Sequence, residues 1–206
     1  MQIKKIVTKH GDPLDSTLHY LEKHPADLLV LATHSYEGAA RWMHKMIAEP
    51  LSRQSGAMTL FFPRGARGFV SRDDGSVSLT NILIPIDHRP PPQQAVAAGC
   101  EIAQAFGATA VTFTLVHVCG DGDVPAVSTQ PKEGWMWREI LVQGDDVVAA
   151  IAEAASSVSA DPIVMATAGH EGVLDALRGS TTEQVIRGSH YPVLAVPTRP
   201  PVQAEE

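Results

Sequence analysis

Residues 165–186, "MATAGHEGVLDALRGSTTEQVI", follow a short apolar run with Gly169 and Gly172 and then place a Gly179-Ser180 pair where a helix should begin. Such a spacing can do one of two things. Glycine lets bare backbone approach an anion, and a helix opening on Ser180 aims its first N–H groups and a hydroxyl toward the same charge. Alternatively the glycines serve tight turns and helix packing, and Ser180-Thr181-Thr182-Glu183 is a capping box that satisfies its own helix. Asp87, His88 and Arg89 follow "NILIPID", and His117 and Val118 end a second apolar run. Asp87 in that position either caps a helix or accepts hydrogen bonds from a ribose or a base.

Other chemistries find little support in the residue pattern. The histidines make no compact ligand set and no His-x-x-x-His pair, so zinc is not indicated. "GDGD", residues 120–123, lacks the further acidic positions of a calcium loop and reads as surface turn. There is no Gly-x-Ser-x-Gly elbow and no Cys-His arrangement at helical or turn spacing, which leaves hydrolysis through a nucleophile without a basis. Cys100 and Cys119 form neither a disulfide framework nor a Cys-x-x-Cys motif and point to a reducing, cytoplasmic setting.

The elements that must position these residues come in a repeated pattern. "ADLLVLATHSYEG", residues 26–38, aligns with "ADPIVMATAGHEG", residues 160–172, at an offset of 134, and the same offset carries "MTLFFP" onto "PVLAVP". Ahead of the second copy, residues 81–87 read as a central parallel strand, apolar on both faces. A proline-led helix follows through Val96, Cys100, Ala103 and Phe106, stopped by Gly107. Further strands are expected at 109–118, 137–143, 162–168 and 192–196, with a helix from Asp145 or Asp146 onward. Strands alternating with helices predict an α/β fold, a five-stranded, doubly wound parallel sheet. In such a sheet a ligand sits at the carboxyl ends of the strands beside the switch in strand order.

The expected organisation is a truncated unit over residues 1–63, a hairpin linker over 64–80 turning at Asp74-Gly75, a complete domain over 81–198 and a flexible tail over 199–206. The truncated unit is expected to hold its third strand at the N-terminus, then a helix at 14–23, a strand at 28–32, a helix at 39–52 and a strand at 59–62. Two such strands bury little alone, so the half must lean on the full domain or on another chain.

The chain has 206 residues, 44% of them hydrophobic, enough for a sizeable core. Sixteen Lys and Arg against 23 Asp and Glu leave a net charge of -7 without a basic run, which argues against nucleic acid as a partner. The N-terminal residues contain no apolar block suited to a signal peptide, and no apolar segment of membrane-spanning length occurs.

Taken with the "NILIPID" opening, the "LVHV" strand end and the Gly144-Asp145 pair, the stretch "ADPIVMATAGHEGVLDALRGSTTEQVIRGSHYPVLAVP" resembles the universal stress protein (UspA-like) family. That resemblance implies a Rossmann-like sheet of the adenine nucleotide alpha hydrolase type and a regulatory module that binds ATP or a related adenine nucleotide, with Mg2+. The family's nucleotide-binding branch carries glycine, two residues, glycine, nine residues, then glycine and Ser or Thr. Mapped here, Ala166 replaces the first glycine, Gly169 is the second and Gly179-Ser180 is the final pair. The resemblance thus implies Asp87 near the adenosine, Val116 or its neighbours along the base, and Gly169, Gly179, Ser180 and Thr181 around the phosphates. Ala166 adds a methyl group that either narrows the pocket or faces the helix layer without consequence.

The same resemblance covers residues 1–63 as the second half of such a domain, with Ala32, Ser35 and Lys45-Met46 in place of the motif, so no phosphate cradle is expected there. Family members dimerise by antiparallel pairing of their last strands, which implies self-association of that kind and would bring residues 59–62 beside 193–196. Two other readings stand beside nucleotide binding: a structural or protein-interaction module whose glycines serve turns alone, and a slow ATPase for which no general base is evident.

Overall fold

The computed structural model describes residues 4–7, 12–33, 48–71, 73–119, 123–168 and 180–198. The elements in chain order are α1 (Pro13–Lys23), β1 (Leu28–Thr33), α2 (Ala48–Ser55), β2 (Met58–Pro63), β3 (Asn81–Pro85), α3 (Gln93–Ala105), β4 (Val111–Cys119), β5 (Trp135–Gln143), α4 (Val147–Ser157), β6 (Ile163–Ala168), α5 (Thr181–Gly188) and β7 (Val193–Thr198).

Local chemistry sets the helix boundaries. Asp12 caps α1 by accepting from the Leu14 N–H at 2.8 Å, with Pro13 in the first turn, where its missing N–H costs nothing. Asp146, rather than Asp145, caps α4 through the Ala149 N–H at 3.0 Å. In α3, Gly99 lies so close to the sheet that a Cβ there would come within 3.2 Å of Ile84 Cδ1. Its absence lets the helix settle onto β3.

All seven strands join one sheet in the order β1-β2-β7-β6-β3-β4-β5. Every neighbouring pair is parallel except β2 and β7, which run antiparallel with Thr59 opposite Ala195, Leu60 opposite Leu194 and Phe61 opposite Val193. The five strands β7-β6-β3-β4-β5 are the expected doubly wound sheet, and the front unit extends it by two. Alternate residues send side chains to opposite faces. One face holds Ile82, Ile84, Phe113, Leu115, Val164, Ala166 and Leu194 against α3. The other holds Leu83, Val116, Ile163, Met165 and Val193 with Ile151, Ala154 and Ala155 of α4 and Val185 and Ile186 of α5. Burying each such Val, Leu or Ile stabilises by about 1.5–3 kcal/mol.

The 134-residue repeat reappears as structure, since α1 (Pro13–Lys23) and α4 (Val147–Ser157) share bounds at that offset and β1-β2 matches β6-β7 to within one residue. Several expectations need correction. Residues 4–7 form no strand, and Ile6 and Val7 are exposed, because among the described residues no counterpart of β4 stands ready to hydrogen-bond a third strand in the front unit. The helix expected at 39–52 is α2 at Ala48–Ser55, with 34–47 outside the described residues. β5 begins at Trp135, two residues early, directly after Gly134 turns the chain at φ 81°.

The hairpin at 68–79 is present, closed by Ser71 N–H to Ser76 O (2.8 Å) and Ser78 N–H to Phe69 O (2.8 Å), with Gly75 at φ 72°. It is rooted in the core rather than merely protruding, as Phe69 and Leu79 are buried. Both edges of β2 and of β7 are paired within the chain, so the last strands offer no free edge for self-association. Instead they join the two units of one chain. The tail at 199–206 lies outside the described residues.

Candidate functional site

Strand order changes direction between β3 and β6. From β3 the chain moves outward to β4 and β5, then returns to β6 on the other side of β3 and continues to β7. The helix after β3, α3, packs on one face, whereas the helix after β6, α5, packs on the other. In a doubly wound sheet the carboxyl ends of two strands at such a reversal are where a ligand crevice is expected.

Asp87 follows β3 at its carboxyl end. Its carboxylate accepts from the His88 N–H at 2.7 Å and its side chain is exposed. Of its two expected roles, capping α3 is excluded: the N-cap residue of that helix is Pro92, with no side-chain cap bond. The remaining lone pairs of Asp87 face solvent and suit a hydroxyl or amino donor.

The ends of β3 and β4 are held together tightly. Val116 O accepts from the Ile86 N–H at 2.8 Å, and the Val116 side chain is buried in the α4-facing core. His117 is buried with Nδ1 2.9 Å from Ile86 O; a carbonyl only accepts, so Nδ1 carries the proton. His88 meets His117 edge-on at 6.3 Å between ring centroids, and its Nε2 lies 2.8 Å from Asp123 O. These imidazoles fasten the loops after β3 and β4 to each other.

On the opposite wall Ala166 is buried in the α3-facing core, so its methyl points into the helix layer. Its carbonyl accepts from Thr182 Oγ1 at 3.4 Å, which moors the first turn of α5 to β6. Ser180 is the N-cap of α5 and accepts from the Glu183 N–H at 3.2 Å, while the Glu183 carboxylate pairs with Arg187 one turn on. Thr181 opens the helix, half-buried. The first-turn N–H groups of α5 have no carbonyl partner within the helix and carry its positive end.

Of the residues expected in the site, Asp87, Val116, Ala166, Ser180 and Thr181 are thus placed at or beside the carboxyl ends of β3, β4 and β6. Val116 and Ala166 send their side chains to opposite faces of the sheet. Gly169 and Gly179 lie outside the described residues, as do Gly172, His170 and Glu171. Sequence reasoning missed the mooring by Thr182 and the link from His88 to Asp123. The first follows from a hydroxyl on the inner side of a helix's first turn, a signal available in the sequence; the second depends on where two loops meet. Among the described residues no group of three His, Cys, Asp or Glu could hold a metal ion, and no helix is long and apolar enough to cross a membrane.

Residues 132–197, which span β5 to β7 and both crevice elements β6 and α5, match the universal stress protein family. This segment belongs to that family. A universal stress protein from Archaeoglobus fulgidus DSM 4304 has a similar structure, with a TM-score of 0.65 and 20% identity over 90% of this chain. The chain spans 65% of the length of that protein. A functionally unknown protein from Pseudomonas aeruginosa PAO1 gives a TM-score of 0.57 and 14% identity, over 91% of this chain and 69% of its own. A universal stress protein from Archaeoglobus fulgidus in complex with dAMP gives a TM-score of 0.39 and 21% identity, over 56% of this chain and 96% of its own. No curated protein matches the chain. The fold is that of universal stress proteins, a Rossmann-like α/β sheet, here carried by seven strands.

Proposed function

We propose that this universal stress protein chain is a regulatory module that binds an adenine nucleotide, ATP with Mg2+, in the crevice of its C-terminal unit. One observation carries the reading. An exposed carboxylate, Asp87, follows β3, and the capped N-terminus of α5 is moored to β6, the strand next to β3. An acceptor for ribose or base and a cluster of amides for phosphate are the two complements a nucleotide needs.

The residues fit that ligand. The Ala166 methyl is buried in the helix layer, so glycine's replacement there adds no bulk to the crevice. Ser180 and Thr181 would border the phosphates with Gly169 and Gly179, and the backbone beside Val116 would line the base. Magnesium would arrive on the triphosphate, since the described residues supply no cluster to hold it. The bound nucleotide supplies charge to α5; Asp87 orients the sugar, and the His88–His117 pair keeps the β3 and β4 loops in register. A stress-linked, cytoplasmic role belongs to the same proposal.

Titration calorimetry with ATP and MgCl2 is the test. Saturable heat with a raised melting temperature is expected. In Gly179→Val the affinity should fall at least tenfold, about 1.4 kcal/mol, with circular dichroism unchanged. No heat and no melting shift at millimolar ATP would refute the proposal and favour a protein-interaction module.

A further inference from the structure

The two units repeat one surface but cover it differently. In the C-terminal unit Val164, Ala166, Leu194 and Val196 form the face on which α3 lies, and all four are buried. At the 134-residue offset their counterparts are Val30, Ala32, Leu60 and Phe62, the first three identical in type. Leu60 sits opposite Leu194 in the antiparallel β2–β7 pair, so both sets of side chains share one face of the sheet. Val164 is 0% exposed under α3, whereas Val30 is 61% exposed.

That exposure belongs to a groove of about 950 Å³, floored by Val30, Ala32, Leu60 and Phe62 and walled by Phe69 of the hairpin and Phe106 at the end of α3. Among the described side chains of α1 and α2, none lines it. The strand edge beside it is open as well. β6 carries β3 on its outer edge, through Leu83 opposite Ile163, whereas among the described residues β1 is the end of the sheet and pairs with β2 alone. A parallel strand and the helix that follows it, the two elements that cover the C-terminal face, have no counterpart on the front face among the described residues. The Archaeoglobus and Pseudomonas structures of the same fold hold about a third of their length beyond what this chain matches.

We propose that the front face is a docking surface for a strand–helix segment with the chemistry of β3 and α3. Its strand adds parallel to the outer edge of β1, and its helix lays a stripe of small apolar residues over Val30 and Ala32, beside the already buried Leu60. The chemistry of the occupant is set by its analogue. α3 meets its own face through Ala95, Val96, Gly99 and Ala103, all buried, and small residues at that spacing let the helix axis approach the sheet closely. Backbone hydrogen bonds along β1 would provide affinity, and the groove would select the helix. This surface involves neither Asp87 nor α5.

The experiment uses the full chain and, as probe, a synthetic peptide of residues 81–107, whose strand and helix already fit the matching face. Calorimetry is expected to show saturable one-to-one binding. Val30→Asp and Ala32→Arg, both at exposed positions, should each weaken it at least tenfold while leaving the circular dichroism spectrum and melting temperature unchanged. Absence of saturable binding, or binding indifferent to both substitutions, overturns the proposal. So does sedimentation showing a dimer of the full chain that Val30→Asp dissociates, because the face would then belong to a second copy.

Discussion

Asp161 shows how much one side chain can hold in this protein. Its Oδ2 accepts from the Thr80 N–H at 2.6 Å, the Asn81 N–H at 3.0 Å and the Thr80 hydroxyl at 3.2 Å, fixing the start of β3 beside the start of β6. Hydrogen bonds to a charged acceptor contribute about 1.5–3 kcal/mol. Asp161→Ala should therefore lower stability by roughly 2 kcal/mol in urea unfolding, and Asp161→Asn by less. Gly134 is constrained more simply: at φ 81° an added Cβ would meet the Thr109 carbonyl, so Gly134→Ala should cost at least about 1–3 kcal/mol. Burial pushes the Cys100 thiol up to about 11, with a smaller contribution from Glu101. At pH 8 iodoacetamide should leave Cys100 unmodified in the folded chain while reaching the half-buried Cys119, as mass spectrometry would show. Because the folded pKa lies above the unfolded one, Cys100 stabilises the fold fully below about pH 9 and loses that contribution as pH rises toward 11.

Among the elements, α5 connects fold and proposed ligand. It is only eight residues long and too short to persist without tertiary support. Thr182 moors it to β6, Ser180 caps it, and the Arg187–Glu183 pair spans one turn of it. Ser180→Ala should cost about 1 kcal/mol. If the helix N-terminus holds phosphate, the same substitution should also weaken ATP binding, and ADP and AMP should lose progressively less. Equal losses for the three nucleotides in calorimetry would place Ser180 in the scaffold alone.

For the whole molecule, the antiparallel β2–β7 seam decides the architecture. It occupies the outer edge of β7, which would otherwise present a row of unpaired backbone groups in the apolar strand "VLAV". A chain of residues 64–206 should consequently associate more strongly than the full chain in sedimentation velocity. An unchanged association state would show that β2 does not shield that edge.

The period of apolar residues already announced most of this. "NILIP" is apolar on both sides and becomes a strand buried on both faces; "VVAAIAEAASS" after Asp146 becomes a capped helix with Ile151, Ala154 and Ala155 inward. The family resemblance implied the pairing of 59–62 with 193–196, and Ser180's role as a cap could be read from the three residues after it. These are local properties, set by side-chain shape and by spacing along one element. Three matters needed the tertiary structure. Residues 4–7 look like a strand but form none, since a strand requires a neighbour that only the assembled sheet can supply. Whether the Ala166 methyl enters the crevice depended on which face of β6 it occupies, and that was decided by where α3 packs. The bare face at Val30 is invisible in a sequence where Val30 and Val164 look alike; burial is a relation between elements, and only one of the two valines has a helix above it.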